Sequence, residues 1–493
     1  MSKTKICLVQ IPYGFNWKMI SPAAGVLKAV VKNAGYDATI IDINSDMLYK
    51  KGEECAPEQG KGEEYTPERL RAVNANSYAR FLEQIDKEFL NKLDQDVIKI
   101  LAQKAQVLAF SIYFRPALWP SIYIAKRIKE SASSLIVAGG AAFDRSVVQF
   151  LGAMTPPNSI DLYCVGEGES VLVPLLDAVD SKPIPMSNGK VWAQEIAGRI
   201  AGLGVPENGI GINITNGIAP SSNTLDDLPY ADFDDYNLSD VTTLPLTIAR
   251  SCNSACTFCS SRKTHNSFRM MSGKRAADEL IYLSEKYGIH NFYFTSPIVN
   301  GDVIKLRDMC RIIIDSGKSF NLSGLVRLDK RMTFNDLELM YHAGFRWIKY
   351  GLESGSPKVR KSMGKLSDQD FCKSFMKQTS AVGITTEANI MHSFPTEDDE
   401  AFQETIEFLD KFSVNELEWN AWPFDLGLTA NCAVDYDFIQ RFNIRLLKNN
   451  GLFEGSHTFM LDLQWENAII NDSVRAKREE MMAAFRKNWL SMA

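Results

Sequence analysis

The 493-residue chain has no apolar run close to the roughly eighteen residues that a membrane-spanning helix needs. It has no basic run of about five or more, and its net charge of −6 argues against a nucleic-acid-binding surface. The opening stretch, Met1-Ser2-Lys3-Thr4-Lys5-Ile6-Cys7-Leu8-Val9, passes straight into a strand-like run and lacks the build of a signal peptide. Histidine is scarce: all five (His265, His290, His342, His392, His457) lie after residue 260, so the N-terminal half offers no imidazole to a metal. Of nine cysteines, six (Cys7, Cys55, Cys164, Cys310, Cys372, Cys432) are scattered singly, which reads as reduced thiols rather than a disulfide framework. No cysteine cluster lies in the C-terminal part. Together these absences lead us to expect a cytoplasmic protein with no membrane partner.

The remaining three cysteines, Cys252, Cys256 and Cys259, crowd into Ala249-Arg250-Ser251-Cys252-Asn253-Ser254-Ala255-Cys256-Thr257-Phe258-Cys259. That spacing puts three thiolates on one short loop, able to hold one face of an iron–sulfur cube. Clusters that only carry electrons normally take four cysteines. Three ligands leave one iron open, so the spacing points to a 4Fe–4S cluster that acts on something it binds. The competing reading is a structural zinc site, but zinc prefers four closed ligands, and the nearest fourth candidate, His265, lacks the usual paired spacing.

A chain of this length predicts two or three domains, and 45% hydrophobic residues allow substantial cores. Residues 1–180 alternate strand-like runs (Lys5–Ile11, Ala38–Ile43, Val107–Phe114, Leu135–Ala138, Asp161–Val165) with helical spacing, as in Gly25–Ala34 before Gly35. This pattern predicts a doubly wound parallel α/β sheet, whose ligands sit at the strands' carboxyl ends. A polar, Glu-rich insertion interrupts it near 50–75, and Tyr78, Leu82, Ile85, Phe89 and Leu93 follow as one amphipathic helix. Residues 181–243 read as a connector with one hairpin. From 244 to 425, strands beginning near Leu244, Asn291, Leu322, Trp347, Thr386 and Leu417 alternate with helices, which predicts a partial (β/α)6 barrel with its site on the loops after the strands. Residues 426–493 read as a C-terminal helical extension, its last helix capped by Asp472-Ser473 and striped by Val474, Arg478, Met481, Met482, Phe485 and Trp489.

Tyr350-Gly351-Leu352-Glu353-Ser354-Gly355-Ser356 ends the fourth barrel strand, Leu325-Val326-Arg327-Leu328-Asp329 the third, and Asn389-Ile390-Met391-His392-Ser393-Phe394-Pro395-Thr396-Glu397 the fifth. With the cysteine loop and its Phe258, these segments resemble the radical S-adenosylmethionine (SAM) superfamily in its C-x3-C-x2-C, VRxD, GxESGS and I-x-G-F-P-G-E motifs. The resemblance implies a 4Fe–4S cluster on Cys252, Cys256 and Cys259. It also implies SAM contacts from Phe258, Arg327, Glu353, Ser354, Ile390 and Glu397, and cleavage of SAM to a 5′-deoxyadenosyl radical. From the residues alone, Arg327 either clamps a carboxylate or simply pairs with Asp329. Ser393 and Thr396 stand where relatives carry glycine, and Phe294-Thr295-Ser296-Pro297 stands where relatives carry an acidic pair. His392, lying at the barrel mouth, and Trp419 and Trp422, on the sixth strand, are open to packing or substrate roles.

In the first domain, Ser21-Pro22, Gly35-Tyr36, Ile41-Asp42, Ser111-Ile112, Gly139-Gly140 and Gly166-Glu167-Gly168-Glu169 follow the order seen in cobalamin-binding (B12-binding, Rossmann-like) domains fused to radical SAM barrels. That resemblance implies cobalamin near Ser111, Gly139, Gly140, Gly166 and Glu167. The D-x-H-x-x-G loop that supplies a lower cobalt ligand in many such domains is absent, so cobalamin binds without a histidine from this domain or not at all. The expected activity is cobalamin-dependent methylation of an unactivated carbon in a small-molecule or peptide substrate, with a reductant protein such as flavodoxin or ferredoxin. Two alternatives stay open: radical rearrangement, oxidation or cross-linking without methyl transfer, and a zinc-stabilised binding module.

Overall fold

The computed structural model describes residues 3–11, 20–43, 78–85, 87–112, 117–140, 159–182, 189–207, 211–222, 224–259, 261, 267–365, 368–424, 436–447 and 465–491. The insertion expected near 50–75 and His265 fall outside them. By contacts the chain divides into two units, 1–223 with 227–244, and 224–226 with 245–493.

The first unit runs β1 (Lys5–Gln10), α1 (Pro22–Asn33), β2 (Asp37–Asp42), α2 (Tyr78–Gln84), α3 (Lys87–Leu101), β3 (Val107–Ser111), α4 (Leu118–Ser131), β4 (Leu135–Gly139), β5 (Leu162–Cys164), α5 (Leu172–Ser181), α6 (Gly189–Arg199), β6 (Leu203–Glu207) and β7 (Gly211–Asn213). Its sheet has the order β2-β1-β3-β4-β5-β6-β7. The first five strands are parallel, as expected of a doubly wound fold, while β5–β6 and β6–β7 are antiparallel. Thus the segment 181–243, expected as a connector with one hairpin, does hold a hairpin, β6–β7, but with α6 it extends the first unit rather than merely linking the two. Alternation explains the layers. Ile6, Leu8, Val107, Ala109, Leu135 and Val137 join one core with Val31 of α1, Leu175 of α5 and Trp192 of α6. Their neighbours Cys7, Val9, Leu108, Phe110 and Ile136 are equally buried and point to the opposite face. Sequence periodicity missed one break: α2 and α3 are separate helices, with Phe81 buried and Leu82 exposed.

Residues 227–244 fold back on α1. Phe233 packs where Gly25 has no side chain: a Cβ there would lie 2.4 Å from the ring. Lys28, 2% exposed, is held by Asp232 at 3.0 Å and Asp235 at 2.7 Å.

The second unit contains β8 (Leu244–Leu246), β9 (Ala249–Arg250), β10 (Arg269–Met270), α7 (Gly273–Tyr287), β11 (Asn291–Phe294), α8 (Val303–Asp315), β12 (Asn321–Val326), α9 (Phe334–His342), β13 (Phe345–Glu353), α10 (Pro357–Ser362), α11 (Gln369–Ala381), β14 (Thr385–His392), α12 (Asp399–Leu409) and β15 (Glu418–Pro423). Its main sheet has the order β15-β14-β13-β12-β11-β8, the open six-stranded array that the spacing predicts. Helix starts follow side-chain caps: Asp302 accepts from the Ile304 and Lys305 N–H groups, and Asp398 from that of Ala401. After β15 come α13 (Tyr436–Arg441), the two-residue strands β16 (Arg445–Leu446) and β17 (Trp465–Glu466), and α14 (Asp472–Leu490). The cap of α14 is Asn471, one residue before the expected pair. Its Phe485 and Trp489 stack on Trp419 of β15, which is 2% exposed, so Trp419 is core while Trp422 is 61% exposed.

Candidate active site

The cysteine loop is fastened from three sides. Ser296, fully buried after β11, accepts hydrogen bonds from the Ile248 and Ala249 N–H groups at 2.9 and 2.8 Å, steering the chain into the loop. Asn253 donates to the Gly301 carbonyl at 2.9 Å. Thr257 donates its N–H to the Met363 carbonyl at 3.0 Å. Within the loop, the Ser254 N–H points at Cys252 Sγ at 3.4 Å, and the Cys259 N–H at the Cys256 carbonyl at 3.3 Å. All three thiols are half-buried. Burial raises the Cys256 thiol, the Lys365 ammonium pulls it back down, and Cys259, Glu353 and Cys252 push it up again. Cys252 and Cys259 therefore stand near enough to Cys256 to bear on its charge. Among the described residues no three His, Cys, Asp or Glu side chains close into a metal cage of their own. The three thiols do share one short loop, a donor set that suits one face of a cluster and leaves the rest free.

Arg327, after β12, lies on this loop. Its guanidinium donates to Asn253 Oδ1 at 2.9 Å and Ser254 Oγ at 2.8 Å, while Asp329 holds the other arm at 2.5 Å. Of the two readings of that arginine the pairing with Asp329 is the one present, and the rest of the guanidinium bonds the cysteine loop. Two arginines, Arg331 and Arg327, bind Asp329 and hold its carboxyl well below the usual range against the opposing cost of burial. Asn300 aligns the arginine by exchanging hydrogen bonds with the Arg327 backbone at 2.8 and 2.9 Å.

Glu353 ends β13 in a left-handed conformation, φ 71°. The register with β14 shifts between Gly351 and Glu353, so Glu353 pairs with Ile390. A bulge of this kind re-aims a side chain. The Glu353 carboxylate meets Lys365 Nζ at 3.4 Å. Ser354 is fully buried, with its hydroxyl on Thr405 at 3.0 Å and accepting from the Ser356 N–H at 3.1 Å. Ile390 is 1% exposed. Phe258 leans into an aromatic cluster with Phe394, centroids 6.4 Å apart, beside Val359 and Met363.

Glu397 lies deeper. It is fully buried, accepts from the Ser393 N–H at 2.5 Å and pairs with Arg478 of α14 at 3.2 Å, while its Oε1 has no partner. Burial pushes its carboxyl up to about 7 against those two contacts. Burial, with the Arg478 charge, pushes the adjacent His392 down to about 4, so His392 is a neutral buried residue bonded to Ser393 Oγ at 3.1 Å.

In the first unit, β3 pairs Ser111 with Gly139 of β4, and Gly140, Gly166 and Glu167 follow at the same carboxyl ends. A Cβ on Gly140 (φ 118°) would lie 2.6 Å from the Ile112 carbonyl oxygen, and one on Gly166 2.9 Å from the Ala219 side chain. These glycines are bare first because their own chain fills the space. Residues 12–19, 113–116 and 141–158 fall outside the described residues.

Residues 246–409 match the family model of the Radical SAM superfamily. That stretch, a third of the chain, is a radical SAM domain. An uncharacterised methyltransferase of Pyrococcus horikoshii is 25% identical over 349 residues, 68% of this chain and 69% of that protein. The anaerobic magnesium-protoporphyrin IX monomethyl ester cyclase of Cereibacter sphaeroides is 24% identical over 66% of this chain and 53% of its own length. Among solved structures, the cobalamin-dependent SAM radical enzyme OxsB, with aqua-cobalamin and SAM bound, superposes with a TM-score of 0.60 at 16% identity. That match covers 90% of this chain and 55% of the OxsB chain. At such identity it establishes the fold alone: a doubly wound α/β unit followed by a partial barrel. A radical SAM domain implies a 4Fe–4S cluster and SAM as its cofactors. Among the described residues, no helix is long and apolar enough to cross a membrane.

Sequence reasoning on this radical SAM enzyme missed Asn300, Ser296, Lys365 and Arg478. A polar residue inside a barrel loop carries no periodic signal. Arg478 was read only as a member of the stripe on α14, where a charge among apolar residues is the one signal that could have found it.

Proposed function

We propose that this radical SAM enzyme methylates an unactivated carbon of a small-molecule or peptide substrate with the help of cobalamin. The observation that carries the reading is the joint placement of three thiols, Arg327 and Glu353 at the carboxyl ends of the barrel strands. Cys252, Cys256 and Cys259 would hold the cluster, which supplies the electron that splits SAM into methionine and the 5′-deoxyadenosyl radical. Around it this chain positions and shields. Glu353, re-aimed by the bulge, offers a carboxylate to SAM's hydroxyl or ammonium groups. The free face of Arg327 offers two aligned donors to its carboxylate. Phe258 and Ile390 give apolar walls. Ser354 and Glu397 act one step back, fixing the turns after β13 and β14.

Cobalamin would supply the methyl group at the carboxyl ends of β3–β5, beside Ser111, Gly139, Gly140, Gly166 and Glu167. It would have no histidine from this unit, since every histidine lies after residue 260. The methyltransferase relative and the cobalamin-bound neighbour support this assignment. The cyclase relative supports a second reading, radical ring closure or oxidation without methyl transfer. Anaerobic turnover with SAM, cobalamin and a reductant separates them. Methylation gives 5′-deoxyadenosine, S-adenosylhomocysteine and a methylated product; deoxyadenosine without S-adenosylhomocysteine favours the second reading. A colourless protein with stoichiometric zinc defeats both.

A further inference from the structure

We infer that Lys365 is a positioning residue of the cluster site, a fixed cation that ties the cysteine loop to Glu353. The inference rests on the reading above that the three cysteines hold the cluster. Lys365 follows a turn pressed directly against the cysteine loop. Gly364 (φ 79°) has no room for a side chain there, since a Cβ would lie 2.8 Å from the Ala255 carbonyl oxygen. Thr257 clasps the same turn with its N–H on the Met363 carbonyl and its hydroxyl on the Ser362 carbonyl, at 3.0 and 3.3 Å. The Lys365 N–H closes α10 on the Arg360 carbonyl at 2.8 Å. From this anchored backbone the ammonium reaches three features of the site at once. It donates to the Gly351 carbonyl at 2.6 Å, pairs with Glu353 Oε1 at 3.4 Å and stands 5.9 Å from the Phe258 ring centroid.

Two consequences follow. Glu353 sits in a strained left-handed conformation, and such conformations persist only where the surroundings over-determine them; Lys365 grips the strand two residues earlier and the carboxylate itself. A cube held by three thiolates is anionic and gains a further negative charge on reduction, so a cation beside Cys256 favours the reduced state. The other charged neighbours of the patch work differently. Arg327 shares Asp329 with Arg331 and is held at Asn253 and Ser254 of the loop rather than at Glu353, and Glu353 is itself an anion.

The test uses the full chain reconstituted anaerobically with iron and sulfide, as wild type, Lys365→Met and Lys365→Arg. Iron content, the potential of half-reduction followed by electron paramagnetic resonance, and SAM affinity from its effect on the reduced spectrum are measured for each. With wild-type iron content, Lys365→Met is expected to show a smaller reduced fraction at the wild-type midpoint. It is also expected to bind SAM about tenfold more weakly, the scale of one lost charge-assisted contact. Lys365→Arg restores both. The inference is overturned if Lys365→Met matches wild type in potential and SAM affinity, or if Lys365→Arg is as defective as Lys365→Met. Should Lys365→Met fail to retain iron, Lys365→Arg decides: normal potential and affinity support the cation, and loss of iron there overturns it. A wild-type protein that takes up no iron defeats the functional reading and the lysine with it, whereas iron-loaded wild type with an unaltered methionine variant defeats only the lysine.

Discussion

The two sheets bend the chain differently at the carboxyl ends of their strands. In the first unit the left-handed positions after β4 and β5 are glycines, Gly140 at φ 118° and Gly166 at φ 110°. In the barrel the corresponding positions carry side chains: Ser251 at φ 62° before the first cysteine, Glu353 at φ 71° and Ser393 at φ 61°. The opposite ends of the barrel strands return to glycine, with Gly288, Gly317, Gly344 and Gly383 all at positive φ before β11, β12, β13 and β14. A non-glycine residue in this conformation costs about 1–2 kcal/mol. Glycine thus serves where only the turn matters, and side chains are kept at the one barrel end where they have work to do. Strain of this kind gathers at functional sites.

Substitutions break or sharpen that contrast. The largest effect belongs to Cys256→Ala, which should abolish the brown chromophore and SAM cleavage while leaving the thermal midpoint close to wild type, because the thiol is only half-buried. Next is Arg478→Ala, which leaves the buried Glu397 unpaired and should cost about 3–5 kcal/mol in denaturant titration. Gly140→Ala should cost about 2–4 kcal/mol, combining an unfavourable φ with a Cβ driven onto the Ile112 carbonyl. Its mirror image is Glu353→Gly, which should be as stable as wild type or up to about 1 kcal/mol more so, yet bind SAM at least tenfold more weakly. A glycine at 353 that binds SAM normally would remove the functional meaning of the contrast.

The smallest effect is in the pH dependence of stability. His392, lowered to about 4, binds fewer protons folded than unfolded, so it makes stability rise with pH from about 4 to its ordinary value near 6.5. Glu397, raised to about 7, binds more protons folded than unfolded, so it makes stability fall as pH rises from its ordinary value near 4.5 to about 7. The two oppose each other across the shared window, and the wild-type curve should be nearly flat there. His392→Gln should leave only the decline. A flat profile in that variant would contradict the raised carboxyl.

Much of this was legible in the sequence. Six barrel strands, five parallel strands of the first sheet and the cysteine loop all announce themselves through periodicity or spacing, because burial and ligand geometry act on neighbours along the chain. What escaped depends on distant partners. The hairpin expected in the Gly-, Asn- and Asp-rich stretch is there as β6–β7, but its joining of the first sheet through β6 and β5 left no mark, since that pairing is tertiary. Ser354 looked like a ligand contact but is buried against Thr405, fifty-one residues away. Lys365 and Arg478 matter only because folding brings them to Glu353 and Glu397.

The central claim is an iron held open by a three-cysteine loop. Electron paramagnetic resonance of the reconstituted, chemically reduced protein, recorded before and after adding SAM, tests it most directly. A reduced cubane signal that shifts on adding SAM, and vanishes in Cys252→Ala, is the predicted result. No iron signal, or a signal that ignores SAM at saturating concentration, would contradict it.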